Sequence, residues 1–392
     1  MEEKNVNNKT DILTILSELV TISSYGVVGK NHIIIEYLKN KFRGCCETLE
    51  IEDESGNIHL LVGVNHNLKD IEDSILLSGH IDTVRESEGH RCNVSIDGDR
   101  LKGLGISDMK SFIATIIANI DYLKNLDIPV IISLTSDEET DLLGIEHIIY
   151  ELEARNINTS MAIVGEPTDL DYYVSSRGNS IYVSVMNGIV SHSGTPELGV
   201  NAIELQTQFV WEIMNIKNQY LKDATICITH IEGGKIPSNV VPDKCSTCFG
   251  IRTSNPKILD TIYDYLVIKH KEISKSYGES KLFNVLFIPP FERTESEFLN
   301  RQADINGKQL IDAKYATEAG YFQRAFPNAN IVIYGPGDPE NIHKAGESIN
   351  PNNLLRYEFE LKEMLSNYLT YRKQKKQGVK KLVYKQIDKN RG

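Results

Sequence analysis

Residues 75–82 read Ile-Leu-Leu-Ser-Gly-His-Ile-Asp, a short apolar run that leads into His80 and Asp82. The same arrangement recurs along the chain. Continuous apolar runs that alternate with helical patterns are typical of buried parallel strands in an α/β sheet. Sites form outside the carboxyl ends of such strands, so we expect the polar residues to share one rim. The other apolar runs, each given with the polar residues that follow it, are Val130–Leu134 with Glu138 and Glu139, Met161–Val164 with Glu166, and Ile331–Tyr334 with His343.

The pattern changes near Arg177, from continuous apolar runs to alternating, half-exposed strands with helices between them. The sequence therefore predicts a two-domain α/β fold. A central mixed, mostly parallel sheet is flanked by helices, and an α+β domain is inserted into it. The predicted ranges are 1–175 and 289–371 for the two parts of the first domain, 176–288 for the inserted domain, and 372–392 for a flexible basic tail.

Charge and composition exclude several classes of partner. The 392 residues carry a net charge of -12, but residues 372–392 hold nine Lys or Arg and one Asp, which leaves -20 for the body. Such an acidic body argues against nucleic acid or an anionic membrane as the main partner. The polar first residues do not resemble a signal peptide, and no apolar run has the length of a spanning helix.

Cysteine usage indicates a reducing cytoplasm. Six cysteines in a chain of this length do not form a disulfide framework. Cys245 and Cys248 form a C-x-x-C, but they fall in a predicted strand, where residues three apart point to opposite faces. We therefore predict neither a metal site nor a redox pair there.

The predicted rim has the composition of a metal site. Nitrogen and oxygen donors without a thiolate suit zinc best, with cobalt or manganese as substitutes, and a carboxylate can bridge two ions. Taken singly, each residue has an ordinary alternative, such as a solvated Glu-Glu pair or a helix N-cap at Asp108. Their joint position at strand and helix ends favours the metal site. Two histidines and three carboxylates of this rim could bind a pair of ions. The residues to choose from are His80, Asp108, Glu138, Glu139, Glu166 and His343, with Asp82 placed to orient His80.

Short motifs along almost the whole chain resemble the M20 family of zinc-dependent amidohydrolases and peptidases. They occur in the order that the family has. The matching segments begin at Ser78, Gly103, Ser136, Gly165, Ser191, Gly199, Gly233, Asn239 and Gly335, and the last is followed by His343.

The resemblance implies a role for each residue of the rim. His80 and Glu166 would bind one zinc ion, and Glu139 and His343 the other. Asp108 would bridge the two ions, Asp82 would support His80, and Glu138 would act as the general base. The resemblance also implies a cis peptide bond between Asp108 and Met109.

The inserted domain resembles the family's lid, a four-stranded sheet with two helices that usually mediates a homodimer. His192 matches the lid histidine that reaches the partner's active site, where it would donate to the oxyanion. Arg252 matches an arginine that holds a substrate carboxylate, and Asn239 would line the same pocket. Without the resemblance, His192 and Arg252 would be ordinary surface residues. Glu318 would pair with a substrate amine or serve a structural role.

The resemblance implies hydrolysis of the amide of a small N-acyl amino acid. Gly103-Leu-Gly105, Glu166 and Thr317-Glu318-Ala319 are similar to the acetylornithine deacetylase branch, which favours N-acetylornithine and a place in arginine biosynthesis. Ser111 and Arg177 depart from the usual glycine and lysine of the family. The alternatives are a desuccinylase of N-succinyl-diaminopimelate, an aminoacylase, a metallopeptidase, and a catalytically silent binding protein with the same fold.

Overall fold

The computed structural model describes residues 2–25, 32–140, 142–236, 238–274, 279–293 and 295–389, with side chains between residues 12 and 377. The chain divides into two compact units. Ser175–Thr294 and Asp312–Tyr321 form the second unit, and the rest of the chain forms the first. The second unit thus extends past residue 288 and takes a further segment that the sequence pattern did not assign to the inserted domain.

Ten helices are present in the described ranges. They are α1 Glu2–Thr21, α2 His32–Phe42, α3 Ser111–Ala118, α4 Ile120–Lys124, α5 Gly144–Ala154, α6 Ala202–Gln219, α7 Pro256–Ile273, α8 Glu297–Asn306, α9 Ala319–Ala325 and α10 Pro351–Lys389. Seven lie in the first unit, α6 and α7 lie in the second, and α9 begins in the second unit and ends in the first.

The strands of the described ranges number seventeen. They are β1 Glu47–Glu52, β2 Ile58–Gly63, β3 Ile75–His80, β4 Ser95–Asp97, β5 Arg100–Lys102, β6 Val130–Thr135, β7 Met161–Val164, β8 Tyr172–Ser176, β9 Asn179–Asn187, β10 Ser191–His192, β11 Thr225–Gly233, β12 Val240–Val241, β13 Lys244–Arg252, β14 Lys281–Ile288, β15 Leu310–Ala313, β16 Asn330–Ile333 and β17 Ser348–Ile349.

The central sheet has eight strands in the order β1-β2-β6-β3-β7-β16-β8-β15. Strands β6, β3, β7 and β16 are parallel, whereas β2 and β8 pair antiparallel on either side of them. Every residue of β3, β6 and β7 is buried. This explains why these strands read as continuous apolar runs, because helices cover both faces of the sheet. The prediction of a mixed sheet with parallel central strands is confirmed.

Helices α1, α2, α3 and α10 pack their apolar residues into one core with the sheet. Ile12 and Leu16 of α1, Phe112 of α3 and Leu361 of α10 all belong to this core. In the part of the chain that the structure describes, no helix combines the length and apolar character needed to cross a bilayer.

The sequence pattern predicts one helix over Ser111–Leu123, but this prediction is wrong, since the structure has two helices, α3 and α4. Helix α3 ends before Asn119, whose backbone leaves the helical region at φ -111° and ψ 17°. The Asn119 side chain donates to the carbonyl oxygen of Thr115 at 2.7 Å. Such side-chain bonds to the backbone compete with helix continuation, which explains the interruption.

Residues 372–389 of the basic tail form the end of helix α10, which continues to Lys389, and the flexibility of the tail stays a prediction. Pro351 is the last proline, so nothing forbids the helix, and lysine, glutamine and leucine favour it. The first tail residues are also held by the body. Arg372 donates to Asp73 at 2.6 Å, and Lys373 lies 3.1 Å from Asp127.

The second unit contains a four-stranded antiparallel sheet in the order β11-β13-β9-β14, with helices α6 and α7. Its own core joins inward residues of the sheet, such as Phe249 and Ile251, to Phe209 and Ile262 of the two helices. Cys245 is buried and Cys248 half-buried on β13, as expected for residues on opposite faces of a strand. This unit has the α+β composition that the sequence predicts.

Candidate metal centre

His80 is the last residue of β3, and its imidazole is buried between two aspartates. Nε2 lies 3.0 Å from Oδ1 of Asp108. On the other side of the ring, Nδ1 lies 3.1 Å from the carbonyl oxygen of Asp82 and 3.5 Å from its carboxylate. Because the Asp82 oxygens can only accept, they favour the tautomer with a proton on Nδ1. In that tautomer Nε2 can bind a metal ion, whereas in the protonated imidazolium Nε2 donates to Asp108.

Asp108 lies in the turn that precedes α3, and the peptide bond between Asp108 and Met109 is cis, as the resemblance implied. Its carboxylate is buried and is shared between two groups of side chains. Oδ1 faces His80 at 3.0 Å, and Oδ2 faces Nε2 of His343 at 3.3 Å. Asp108 is therefore placed as a carboxylate between two sets of ligands.

The first set is completed by Glu166, which follows β7. Its Oε2 lies 4.0 Å from Nε2 of His80, and the ligand atoms of His80, Asp108 and Glu166 all lie within 4.8 Å of one another. The second set consists of Asp108, Glu139 and His343, with the same spacing. Within it, His343 Nε2 lies 2.8 Å from Oε1 of Glu139. The structure thus brings together all five residues that the resemblance implied as ligands.

The electrostatics of this cluster fit divalent cations. Burial and the nearby Glu166 raise the pKa of the Glu138 carboxyl well above its usual value. Hydrogen bonds to Asp108 and Glu139 raise the pKa of His343 to about 10. Burial alone would lower the pKa of His80, but its bonds to Asp108 and Asp82 raise it well above the usual value. Buried carboxylates that lie this close together repel one another, so they need a positive charge between them. A set of donors made up of nitrogen and oxygen atoms suits a metal ion.

Asp82 fixes the loop that carries Glu138 and Glu139. Its Oδ1 accepts from the backbone N–H of Glu138 at 3.2 Å, and its Oδ2 accepts from that of Glu139 at 2.9 Å. Asp82 is only 1% exposed. It therefore orients His80 and holds the neighbouring loop at the same time, and the sequence predicted only the first contact.

The sequence reasoning did not assign two further buried side chains that support these loops. His59, inside β2, accepts through Nδ1 from the backbone N–H of Ser136 at 3.2 Å. Its only sequence signal is a histidine within an apolar strand. Glu347 accepts from backbone groups of the Asp108 turn, and its only signal is its place four residues after His343.

His59 belongs to a third histidine and carboxylate group, with Asp53 and Asp137. The two carboxylates of this group form local hydrogen bonds. Asp53 accepts from the backbone of Ser55 and Asn57 within the β1–β2 turn, at 2.9 Å and 2.8 Å. Asp137 accepts from the first amides of α5, including that of Gly144 at 2.7 Å. These contacts indicate a structural network beneath the loop.

Four of the predicted site residues lie in the second unit. His192 is exposed on β10, and its Nδ1 accepts from the N–H of Gly194 at 3.0 Å. Asn239 is exposed, and its backbone carbonyl oxygen accepts from the backbone N–H of Ser193 at 2.8 Å. Arg252 is the exposed last residue of β13. Glu318, in contrast, is 1% exposed, just before α9.

Comparisons with known proteins show the family of the chain. The sequence model of "Peptidase family M20/M25/M40" matches residues 76–365. An acetylornithine deacetylase of Aliivibrio fischeri is 32% identical over 337 residues, which cover 79% of this chain and 85% of the relative.

Solved structures share the fold. A tripeptidase from Staphylococcus aureus has a TM-score of 0.70 at 20% identity, over 91% of this chain and 97% of its own. A dinuclear metal-binding M20 peptidase from Bacillus subtilis has a TM-score of 0.61 at 15% identity, over 92% and 98%. The family named by the sequence motifs is confirmed: the chain belongs to peptidase family M20/M25/M40 and is a hydrolase of amide bonds.

Proposed function

We propose that the chain is a di-zinc amidohydrolase that removes the acyl group from an N-acyl amino acid, with N-acetylornithine as substrate and ornithine and acetate as products. The observation that carries the metal chemistry is the position of Asp108, whose two oxygens face separate sets of histidine and carboxylate. The deacetylase relative supports the choice of substrate.

In this proposal, the residues of the first unit would hold the two ions. His80 and Glu166 would bind one ion, Glu139 and His343 the other, and Asp108 both. When bound, such a pair supplies an activated water and a Lewis acid for the amide carbonyl. Zinc suits the nitrogen and oxygen donors of this set, and cobalt or manganese can substitute.

Glu138 would move the proton. Its Oε2 lies 4.0 Å from Nε2 of His80, so Glu138 is next to the proposed ligands. The glutamate that contacts His343 is Glu139. The raised pKa of the Glu138 carboxyl makes it a stronger base than an exposed glutamate. It would take a proton from the attacking water and pass it to the leaving amine.

Residues of the second unit would bind the substrate. An exposed imidazole such as that of His192 can donate to the oxyanion that develops on the carbonyl. The guanidinium of Arg252 can bind a substrate carboxylate through two parallel hydrogen bonds. Asn239 would line the same pocket, and Glu318 would pair with the substrate amine.

We further propose a homodimer formed through the second unit, in which His192 serves the partner's site. Strand β11 is an edge of its sheet, and most of its residues are exposed. Helix α6 exposes Trp211 and Met214, at 63% and 47%. Exposed apolar side chains beside an open sheet edge are typical of an interface.

All six cysteines are free thiols, which supports the prediction of a reducing cytoplasm.

The test is a hydrolysis assay of the zinc-loaded protein on N-acetylornithine, N-succinyl-diaminopimelate and a dipeptide, each with a chelated control. We expect chelator-sensitive turnover of the acetyl substrate, at least tenfold above the others in kcat/KM. Preferred turnover of the succinyl substrate or the dipeptide would contradict the assignment of N-acetylornithine as the substrate. Turnover that survives complete removal of metal would contradict a metal-dependent mechanism.

A further inference from the structure

The Glu347 carboxylate is buried against the backbone of the turn that carries Asp108. Its Oε1 accepts from the N–H groups of Ser107 at 2.8 Å and Asp108 at 3.0 Å. Its Oε2 accepts from the N–H of Gly105 at 2.9 Å. Glu347 is 2% exposed. A carboxylate that accepts three backbone amides at these distances restrains the turn strongly, because such charge-assisted bonds are short and strong.

A fourth hydrogen bond fixes the carboxylate itself. Nε2 of His90 lies 2.7 Å from Oε2 of Glu347, and His90 is 3% exposed. Since the carboxylate only accepts, His90 must donate from Nε2. The backbone of His90 is held in turn by two hydrogen bonds with Ser87, at 3.0 Å and 3.1 Å. Glu347 therefore has four donors for its four acceptor sites, and a glutamine could not match them.

Glu347 also belongs to the loop that carries His343, four residues before it. The His343 backbone has a φ of 58°, a left-handed conformation that is uncommon outside glycine. Such a conformation persists only when the surrounding structure holds it. Two more hydrogen bonds join the same loop to the Asp108 turn, from Gly103 N–H to Glu347 O at 3.1 Å and from Asp338 N–H to Ser107 Oγ at 2.7 Å.

We propose that Glu347 is a positioning residue that sets the separation of Asp108 and His343, and that His90 orients its carboxylate. This inference rests on the proposed function, since it concerns the spacing of two proposed metal ligands. The physical reason is that one side chain joins both loops. Its backbone moves with His343, and its carboxylate holds the amide of Asp108. A shift of Glu347 would change the distance between the two ligands.

The decisive variant is Glu347→Gln. The amide group would turn an NH₂ toward backbone N–H donors, so at least one of the three bonds is lost. Changes to groups that orient ligands cost about 10–100-fold in metal affinity or activity. We expect zinc affinity at the weaker site to fall in that range, measured by competition with a chromogenic chelator, and kcat to fall with little change in KM.

Glu360→Gln is the matched control. Glu360 is another buried glutamate of the first unit, and it is paired with Lys308 and Arg356 at 2.6 Å and 2.7 Å. Its hydrogen bonds and ion pairs join it to Tyr334, Lys308 and Arg356, which lie outside both loops, so its variant should bind zinc as the wild type does. If Glu347→Gln fails to fold, His90→Phe is the second variant. It fills the space of the imidazole and removes one donor, and we expect a several-fold loss of zinc affinity.

The outcomes are separable. A Glu347→Gln protein that binds two zinc ions with unchanged affinity overturns the inference, even if its thermal unfolding midpoint falls, because a merely structural role predicts that result. Wild-type affinity in a folded His90→Phe protein would overturn the role of His90. A wild-type protein that binds no divalent ion would overturn the proposed function itself, before either variant is compared.

Discussion

Most of the proposed metal ligands are buried, whereas three of the four proposed substrate residues are exposed. The exceptions are the ligand His343, which is exposed, and the substrate residue Glu318, which is buried. In the first unit, Asp82 and Asp108 are at most 5% exposed, and backbone amides or histidines fill their hydrogen bonds. In the second unit, His192 and Arg252 are exposed on strand ends. Metal ligands must keep fixed distances, so burial and full hydrogen bonding suit them. Side chains that bind a substrate can stay exposed until the substrate arrives.

The largest expected effect is that of Glu138→Gln. The glutamine keeps the shape of the side chain but cannot take a proton. We expect kcat to fall by about 10²–10⁴-fold, the usual contribution of a general base. Metal content should stay at the wild-type value, since Glu138 is not a proposed ligand. Steady-state kinetics and elemental analysis check both points, and a fully active variant would contradict the mechanism.

His192→Ala tests the other side of the comparison. Removal of an oxyanion donor typically costs about 10²–10³-fold in kcat. Because His192 is exposed in the second unit, zinc content and unfolding midpoint should not change. Loss of zinc in this variant would show that His192 is a ligand, and the contrast between the two regions would then fail.

Asp82→Asn should have a smaller effect. The variant loses a negatively charged carboxylate. In the wild type, that carboxylate accepts from the backbone N–H groups of Glu138 and Glu139 and orients His80. We expect a loss of about 10–100-fold in zinc affinity. Asp53→Asn is the matched control, since Asp53 is also near a buried histidine but bonds within its own turn. Equal losses in the two variants would mean that buried charge in general, rather than ligand orientation, sets the affinity.

Arg252→Lys should raise KM with little change in kcat. A lysine cannot form the paired hydrogen bonds of a guanidinium with a carboxylate. The loss of one bond to a charged group, roughly 1.5–3 kcal/mol, predicts a KM about tenfold or more higher. Arg301→Lys is a control, because Arg301 pairs with Glu297 on the surface of α8. An unchanged KM for Arg252→Lys would remove Arg252 from the substrate site.

Glu360→Gln should have the smallest effect on activity but a pH-dependent effect on stability. Burial alone would raise the pKa of Glu360, yet bonds from Lys308 and Tyr334 hold it below the usual value of 4.5. The stabilisation is therefore fully present above pH 4.5 and is lost as pH falls through the folded pKa. In urea unfolding, the gap between wild type and variant should narrow from pH 7 to pH 4. A constant gap would contradict the assigned pKa shift.

The sequence predicted the strands that bear the site because parallel strands covered on both faces must be continuously apolar. This is true of β3, β6 and β7. It also predicted that polar residues after such strands meet at one rim, and the resemblance to the M20 family then singled out five residues as ligands. The segment Asp312–Tyr321 was not assigned to the second unit, because that membership depends on contacts distant in sequence.

The supports of the site were harder to predict than its ligands. Asp82, His59 and Glu347 accept from backbone N–H groups, which every residue except proline carries. Such bonds leave no pattern of paired side chains in the sequence. The helical conformation of residues 372–389 was not predicted for another reason. The charge of this segment suggested solvation, whereas helix formation depends on propensity and the absence of a breaker.

The most direct test is the number of zinc ions that the purified chain binds, measured by elemental analysis and calorimetric titration on wild type and Asp108→Asn. The account predicts two ions per wild-type chain and weaker binding of both in the variant, because Asp108 lies between the two sets of ligands. One ion or none in the wild type, or two ions bound unchanged by the variant, would contradict a shared carboxylate at Asp108.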